Sequence, residues 1–410
     1  MSGDAPLAGV RVLELATMIA APTTGALLSD YGATVIKVER PGPGDLARKF
    51  GALDAAGVSW YWRSLSRGKK LVALDLHDPE IQALMRRWIG SFDVLIENFR
   101  PGTLERFDLA PAKLLELNPR LVVLRVTAFG QNGPYRERAG FGTLAEAMTG
   151  IASVTGYEDT PPLLPAYPLA DVTTGYLGAA AVNAALVRAA RTGRGEIIDC
   201  AIYEAAIKLV EHQIMEFDRA GTVHRRLGNR MEDIAPRGAY LCAGGDWIAI
   251  SGSAQPIAER ILRVVGGEAL ARDPRYATNA LRVEHAEALD RTLAAWCAVR
   301  TREAALEQLT AAGGAAGPLE TIDSVLHNPQ VVARETFVSI FEPGGAALRM
   351  TGVLPRFEHA EINEPLPGEL AVGARTREVL SGELHLTGAD LASLEARGAI
   401  ESSETKESSS

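Results

Sequence analysis

The sequence predicts an α/β protein in which a large Rossmann-like open-sheet domain is joined to a smaller α+β domain. Residues 10–38 form a strand–helix–strand unit of about 30 residues, the length that two parallel strands and their crossover helix require. Short apolar segments then continue to alternate with helical segments, which is the pattern of an open α/β sheet. At 410 residues the chain is long enough for two domains.

The elements can be placed in chain order. The first unit comprises a strand at 10–15, a helix at 23–31 and a strand at 34–38, with Gly32 at the C′ position that favours glycine. Later strands are predicted at 71–76, 94–96 and 121–127. Helices are predicted at 79–92, 111–117, 173–191 and 202–219. Ligand contacts are expected where the parallel strands end.

A change in amino-acid composition near residue 222 indicates the domain boundary. The segment 222–238 is polar and carries glycine and proline, as linkers do. We therefore assign residues 1–221 to the large domain and residues 222–320 to the small one. A hairpin is predicted in the small domain at 238–251, turning at 244–246.

Composition narrows the class of protein. No apolar run reaches the roughly 18 residues of a membrane span, and the first residues do not form a secretory signal. The net charge of −9 disfavours bulk binding of nucleic acid. Three widely spaced cysteines, without metal-binding spacing, indicate reduced core thiols. We expect a cytoplasmic protein that binds neither membrane, nucleic acid nor metal.

The turn after the first strand disfavours dinucleotide cofactors. It reads ATMIAAPTTG and so lacks the G-x-G-x-x-G fingerprint that cradles a pyrophosphate. The chain also lacks a P-loop signature. A nicotinamide or flavin enzyme is therefore not expected.

Asp171 is the strongest candidate for a reactive group. It lies between a Pro-rich apolar segment, 163–170, and a helical segment rich in small residues. A carboxylate with little competing charge can serve as a nucleophile or base in a cleft. It can equally be a helix N-cap that accepts the amides of Thr173 or Thr174. Local sequence leaves both interpretations open.

Several segments, taken in their order and spacing, resemble the class III CoA-transferases and their relatives, the α-methylacyl-CoA racemases. The resemblance runs from about residue 7 to about residue 398. The segments that carry it are 7–45, 64–76, 96–107, 126–150, 163–179, 193–205, 228–250 and 328–335.

The resemblance implies a reaction and a nucleophile. These enzymes move CoA from a donor thioester to an acceptor carboxylic acid, with CoA as thioester substrate and without a permanently bound cofactor. Their nucleophilic aspartate occupies the position of Asp171. It attacks the thioester to give a mixed anhydride, the CoA thiolate returns to form an aspartyl-CoA thioester, and the acceptor then receives CoA. Such a site must be dry and must offer donors to the developing oxyanion.

The resemblance also implies the residues that contact CoA. They are Ile19, Ala20, Arg40, Leu65, Arg67, Asn98, Phe99 and Arg106. Phe141 and Gly142 occupy the region that lines the acyl pocket. Formyl-CoA transferase has glutamine where this chain has Ile19, which argues against formate or oxalate.

Local sequence leaves structural roles open for several of these residues. Arg40 could be a solvated turn residue, Arg67 could belong to a solvated basic run with Lys69 and Lys70, and Asn98 could satisfy turn amides. Arg136 and Arg138 flank Glu137 and fit a surface ion cluster.

The family fold implies that residues 321–400 return to complete the large domain and that two subunits interlock as a ring-like homodimer. Residues 401–410 fit a disordered tail.

Three functions remain open, and the transferase is favoured. A racemase needs a His and an Asp on opposite faces of the α-carbon, but Gly140-Phe141-Gly142 stands where its histidine would be. A non-catalytic CoA-binding protein is disfavoured because the aspartate is kept at position 171. The stretch FGTLAEAMTG is similar to members that use dicarboxylates such as succinate, citramalate, mesaconate or itaconate. Succinyl-CoA is therefore the expected donor.

Overall fold

The computed structural model describes residues 4–341, 347–362 and 364–403. The strands among them are β1 Arg11–Glu14, β2 Thr34–Glu39, β3 Lys70–Leu74, β4 Val94–Glu97, β5 Val122–Thr127, β6 Glu196–Ala201, β7 Arg237–Leu241, β8 Trp247–Ser251, β9 Ala316–Pro318, β10 Phe337–Phe341, β11 Ala347–Thr351 and β12 Ile400–Glu401.

The helices alternate with these strands in the first half of the chain. They are α1 Ala20–Asp30, α2 Trp60–Leu65, α3 Pro79–Trp88, α4 Thr103–Arg106, α5 Pro111–Leu117, α6 Gly142–Met148, α7 Ile151–Val154, α8 Leu169–Thr192, α9 Ile202–Ala220, α10 Gln255–Ala271, α11 Asn279–Glu284, α12 Ala286–Ala298, α13 Arg302–Ala311, α14 Ile322–Val325, α15 Pro329–Ala333, α16 Thr376–Leu384 and α17 Gly388–Ala396. Short 3₁₀ turns lie at Leu46–Lys49, Ile89–Ser91 and Pro274–Tyr276.

The chain forms two compact units. The first contains the described parts of Met1–Thr149, Pro165–Val210 and Glu335–Ser410, and the second contains Gly150–Leu164 and Glu211–Arg334. The domain limits taken from sequence, at 221, 320 and 400, stay a prediction. The tail predicted from residue 401 falls largely outside the described residues, and Glu401 itself belongs to β12.

A seven-stranded sheet organises the first unit. Its order is β12-β3-β2-β1-β4-β5-β6, with β1 to β6 parallel and β12 antiparallel to β3. The central strands are buried along nearly their whole length, as is usual for parallel sheets that helices cover on both faces. The predicted parallel α/β sheet is confirmed. The direction of the strand order changes between β1 and β4, and a crevice forms at such a switch point.

Close helix packing places α8 against α1. An added Cβ at Gly175 would lie 2.5 Å from the Thr23 Cβ and 2.8 Å from the Ala20 carbonyl oxygen. The Thr24 hydroxyl donates a hydrogen bond to the Gly175 carbonyl at 2.9 Å. The small residues of α8 therefore let it approach the beginning of α1.

The second unit is built on the antiparallel sheet β7-β8-β9, with α10, α12 and α13 contributing to its apolar core. The predicted hairpin is confirmed as β7 and β8. A separate hairpin, β10 and β11, lies in the first unit. All three cysteines are buried and outside any disulfide, as predicted. Within the described part of the chain, the helices are too short or too polar to cross a bilayer.

Candidate active site

A cavity of about 820 Å³ opens in the first unit at the carboxyl ends of the parallel strands. Residues 17–20 follow β1, residues 98–101 follow β4, and residues 126–129 lie at the end of β5. The cavity therefore lies at the switch point of the sheet, where the strand order predicts a ligand site. Residues 136–146, which include much of α6, and residues 165–171 at the beginning of α8 contribute further walls.

Asp171 lines this cavity from the first turn of α8. The helix begins at Leu169, with Pro168 at the N-cap position and without a side-chain capping bond. The interpretation of Asp171 as an N-cap is therefore wrong, because the helix begins three residues earlier than that interpretation requires. A carboxylate in the first turn is still stabilised by the positive end of the helix dipole.

Glu146 binds a backbone amide at the beginning of α8. Its Oε1 accepts a hydrogen bond from the Ala170 amide at 3.0 Å. The side chain is almost completely buried, at 3% exposure. It therefore fixes the beginning of α8 against α6 and places a second carboxylate close to Asp171.

Gly142 lies in direct contact with Asp171. A Cβ added at Gly142 would lie 2.5 Å from Oδ2 and 2.8 Å from Cγ of Asp171. The backbone amide of Gly142 bonds to the carboxylate and stabilises its ionised form. From sequence, Gly142 was expected only to line the acyl pocket. In the structure, only glycine at this position lets the backbone lie so close to the Asp171 carboxylate.

Burial raises the pKa of Asp171 to about 6, and the charge of Glu146 adds to the effect while the Gly142 amide opposes it. The group is still mostly ionised at neutral pH. A carboxylate that has lost much of its hydration is a better nucleophile than one in water. The arrangement therefore suits covalent catalysis.

Four of the expected CoA contacts lie with Asp171 in the cavity wall: Ile19, Ala20, Asn98 and Phe99. Asn98 holds the neighbouring turn, since its Oδ1 accepts the Thr17 amide at 2.9 Å and its Nδ2 donates to the Thr17 carbonyl at 2.7 Å. The suggestion that Asn98 satisfies turn amides is thus correct, although the turn is the one after β1.

The other four expected contacts lie outside the cavity wall. Arg40 is exposed after β2, and Leu65 is buried in an apolar cluster with Trp62. Arg106 is exposed and donates to the Thr103 hydroxyl at 2.7 Å. The assignment of these residues to CoA stays a prediction.

Arg67 and Lys69 are buried rather than solvated. Arg67 pairs with Asp30 and donates to the Thr351 carbonyl at 2.9 Å. The Lys69 ammonium group contacts Glu14 at 2.7 Å. The interpretation of this basic run as a solvated loop is therefore wrong for both residues, while a role of Arg67 in CoA binding stays a prediction.

Sequence reasoning missed Glu146 and three arginines of the wall. Glu146 follows Gly142 by four residues on a helix, and this spacing could have placed it on the same face. Arg100, Arg136 and Arg138 also line the cavity. The predicted surface ion pair exists, at 3.0 Å between Arg136 and Glu137, but Arg136 borders the cavity as well.

The comparisons with known proteins identify the family. Residues 7–369 match the family model described as CoA-transferase family III, and the chain belongs to this family. It is therefore an enzyme that transfers CoA, with CoA thioesters as substrates. The prediction of a class III CoA-transferase is confirmed.

Three relatives match over most of their length. A succinyl-CoA–D-citramalate CoA-transferase of Chloroflexus aurantiacus is 39% identical over 395 residues, covering 96% of this chain and 98% of the relative. The beta subunit of a succinyl-CoA–L-malate CoA-transferase of the same organism is 38% identical, covering 92% and 93%. A succinate–glutarate CoA-transferase of Agrobacterium fabrum is 35% identical, covering 84% and 87%.

Solved structures share the fold. A CAIB/BAIF family protein from Brucella suis superposes with a TM-score of 0.79 at 32% identity, covering 93% of this chain and 100% of that chain. A hypothetical protein from Mycobacterium tuberculosis gives a TM-score of 0.77 at 29% identity, covering 91% and 98%.

Proposed function

We propose that this enzyme transfers CoA from succinyl-CoA to a small dicarboxylic acid, with Asp171 as the covalent nucleophile. The observation that carries the proposal is the placement of Asp171. Its carboxylate is partly desolvated, contacts the Gly142 amide and faces a cavity of about 820 Å³ at the switch point of the sheet.

The first half of the reaction charges the enzyme. An Asp171 carboxylate oxygen attacks the thioester carbonyl of the donor, and the CoA thiolate leaves, which gives an anhydride between Asp171 and the donor acyl group. The thiolate then attacks Cγ of Asp171. The donor acid departs as a carboxylate, and Asp171 is left as a thioester of CoA.

The second half repeats these steps in reverse with the acceptor. The acceptor carboxylate attacks Cγ of the Asp171 thioester and displaces the CoA thiolate. The thiolate then attacks the acceptor carbonyl of the new anhydride, forming the product thioester and restoring the Asp171 carboxylate. Every bond that breaks is replaced, so the cycle needs neither water nor a net proton. Burial of the anhydride protects it from hydrolysis.

The choice of substrates rests on the relatives and on the walls of the cavity. The names of the three relatives pair succinyl-CoA or succinate with citramalate, malate or glutarate, all of which are dicarboxylates. Apolar side chains such as Phe141 and Leu144 share the wall with three arginines, which suits acyl chains that carry negative charge.

We place the binding site for CoA at the carboxyl ends of the parallel strands of the Rossmann-like sheet. Ile19, Ala20, Asn98 and Phe99 contact the part of CoA nearest the thioester. Arg40, Leu65, Arg67 and Arg106 are proposed for the remainder of the molecule, as the family resemblance implies. The support for the first group is their position in the same wall as Asp171.

We also propose the interlocked homodimer that the resemblance implies. Ile214, Met215 and Phe217 are large apolar side chains that stand exposed on α9. A group of such side chains is typical of a surface that another chain covers. Light scattering after gel filtration should give the mass of two chains, and a single-chain mass would contradict the dimer.

Mass spectrometry of the intact protein tests the nucleophile. The enzyme is mixed with a panel of acyl-CoAs that includes succinyl-CoA, and a CoA-sized adduct that hydroxylamine removes is expected. The adduct and CoA exchange should both disappear in Asp171→Asn, while Glu116→Gln, an exposed carboxylate on α5, keeps both. If Asp171→Asn exchanges CoA at the wild-type rate, the nucleophile is misassigned.

Deuterium exchange separates the transferase from a racemase. A 2-methylacyl-CoA incubated with the enzyme in deuterated water should keep its α-proton, because the described wall of the cavity contains no histidine to remove it. Rapid exchange of that proton would favour the racemase.

A further inference from the structure

The turn between β1 and α1 has an unusual backbone. Met18 lies at φ 67°, in the left-handed region that side chains other than glycine seldom adopt. Such a conformation is strained and persists only where the surroundings hold it. The turn contributes residues 17–20 to the cavity wall, so its shape sets part of the site.

A buried carboxylate holds the amide of this strained residue. Asp45 Oδ1 accepts hydrogen bonds from the Met18 amide at 3.1 Å and from the Ala47 amide at 2.8 Å. Asp45 is 2% exposed and comes from the loop after β2. It therefore reaches from the end of one parallel strand to the turn that follows the neighbouring strand.

Lys37 holds Asp45 in place and binds the same turn. Its Nζ lies 2.8 Å from Asp45 Oδ2 and 2.9 Å from Glu14 Oε1. It also donates to the Ala16 carbonyl at 2.6 Å. The lysine and both carboxylates are almost completely buried, so each charge depends on its partners.

The position of these groups indicates what they do. A buried ion pair contributes little to stability compared with an apolar pair of the same volume, but it does fix geometry. Here the bonds fall on Ala16 and Met18, in a turn that lacks the glycines that usually shape such turns. The turn therefore has its positive φ at a residue other than glycine, and the ion pair contacts it there.

We propose that Asp45, held by Lys37, is a positioning residue for CoA transfer: it maintains Met18 in the left-handed conformation and so presents Ile19 and Ala20 to the cavity that Asp171 faces. This inference rests on the proposed function only in taking that cavity as the reaction site. Asp45 does not touch the reacting atoms.

A double-mutant cycle between Asp45 and Met18 tests the proposal. Asp45→Ala should lower kcat for CoA exchange by about 10- to 100-fold, the scale expected from a small displacement in an active site, with a smaller change in KM. Glycine adopts a positive φ without strain. In the Met18→Gly background, Asp45→Ala should therefore lower kcat by less than about 3-fold relative to Met18→Gly alone.

Asp54→Ala is the matched control. Asp54 forms a largely buried ion pair with Arg63 and lies outside the cavity wall. The effect of Asp54→Ala on kcat should be the same in the wild-type and Met18→Gly backgrounds. If Asp45→Ala lowers kcat by the same factor in both backgrounds, Asp45 does not act through the conformation of Met18 and the proposal is overturned.

Asp45→Asn keeps the test usable if Asp45→Ala does not fold. This variant retains an oxygen for the Met18 amide but loses the charge that faces Lys37. It should therefore lower kcat less than Asp45→Ala does, and the decrease should be smaller in the Met18→Gly background. An equal loss in both backgrounds would again overturn the proposal. Failure of the proposed function is seen separately, as an Asp171→Asn variant that still exchanges CoA.

Discussion

Glu146 accepts the backbone amide of Ala170 at 3.0 Å, and this bond brings a buried carboxylate next to Asp171. A like charge close to an acid disfavours its ionised form. One side chain therefore has two effects: it fixes the beginning of α8, and it contributes to the raised pKa of Asp171. The two effects can be separated, because glutamine retains an oxygen acceptor and removes the charge.

Glu146→Gln should shift the acid limb of the pH profile to lower pH. The pKa of Asp171 is raised first by burial and second by Glu146, so loss of the second effect should move it back toward its usual range. The measurement is kcat/KM for CoA exchange from pH 5 to 8. Glu116→Gln should leave the limb unchanged. An unchanged limb in Glu146→Gln would mean that burial alone sets this pKa.

Asp171→Asn should stabilise the folded protein at neutral pH. The pKa of Asp171 is raised to about 6, so the folded state binds its proton more tightly than the unfolded state. Stability therefore falls as pH rises from about 4 to about 6, and the neutral variant avoids this loss. The gain should be on the order of 1–3 kcal/mol at pH 7.5 and small near pH 4.5.

Thermal unfolding at the two pH values checks the sign. The difference in midpoint between Asp171→Asn and the wild type should grow from pH 4.5 to pH 7.5. A difference that is constant with pH would show that the substitution changes packing rather than proton binding.

Gly142→Ala should inactivate the enzyme without unfolding it. The added Cβ would stand 2.5 Å from Asp171 Oδ2, so the carboxylate must move. A displacement of about 1 Å in an active site costs about 100-fold in rate. Gly382→Ala is the control, because nothing lies within 4 Å of the Cβ added there. Wild-type kcat in Gly142→Ala would show that Asp171 does not need this contact.

Gly175→Ala should destabilise the contact between α8 and α1. Its Cβ would lie 2.5 Å from the Thr23 Cβ and 2.8 Å from the Ala20 carbonyl oxygen, and backbone cannot yield as a flexible side chain does. Overpacking of this kind costs about 1–3 kcal/mol. Chemical denaturation measures the loss of stability. The free energy of unfolding of Gly382→Ala should be no more than about 0.5 kcal/mol below that of the wild type. Equal stability of the two variants would contradict the close packing.

The regular elements were predictable from sequence because their signals are local. The strands of the first βαβ unit lie within one residue of their predicted ends, and Pro111–Leu117 agrees at both ends. Helix beginnings were less predictable. Helix α8 begins at Leu169 rather than at 173, because Glu146 from another helix binds its amide and the helix needs no cap of its own.

The site was predictable only in part. Asp171 was proposed from its neighbours in sequence and the family resemblance, and it lies in the cavity wall, whereas Glu146 and Gly142 contact the beginning of α8 from another helix. Lys69 shows the same limit. A basic run usually lies in solvent, but this lysine is buried against Glu14, which is distant in sequence. Ion pairs between residues that are distant in sequence cannot be predicted from local composition.

Strand β12 has a consequence for how the chain is made. Glu401 pairs with Ala73 at the edge of the large sheet, more than 300 residues away in sequence. The ribosome must therefore make more than 300 further residues after β3 before that sheet is complete. Until then the outer edge of β3 presents unpaired backbone groups, which other strands can bind. Synthesis thus includes a period of exposure to misassembly, and a stop codon a few residues before 400 would make that exposure permanent.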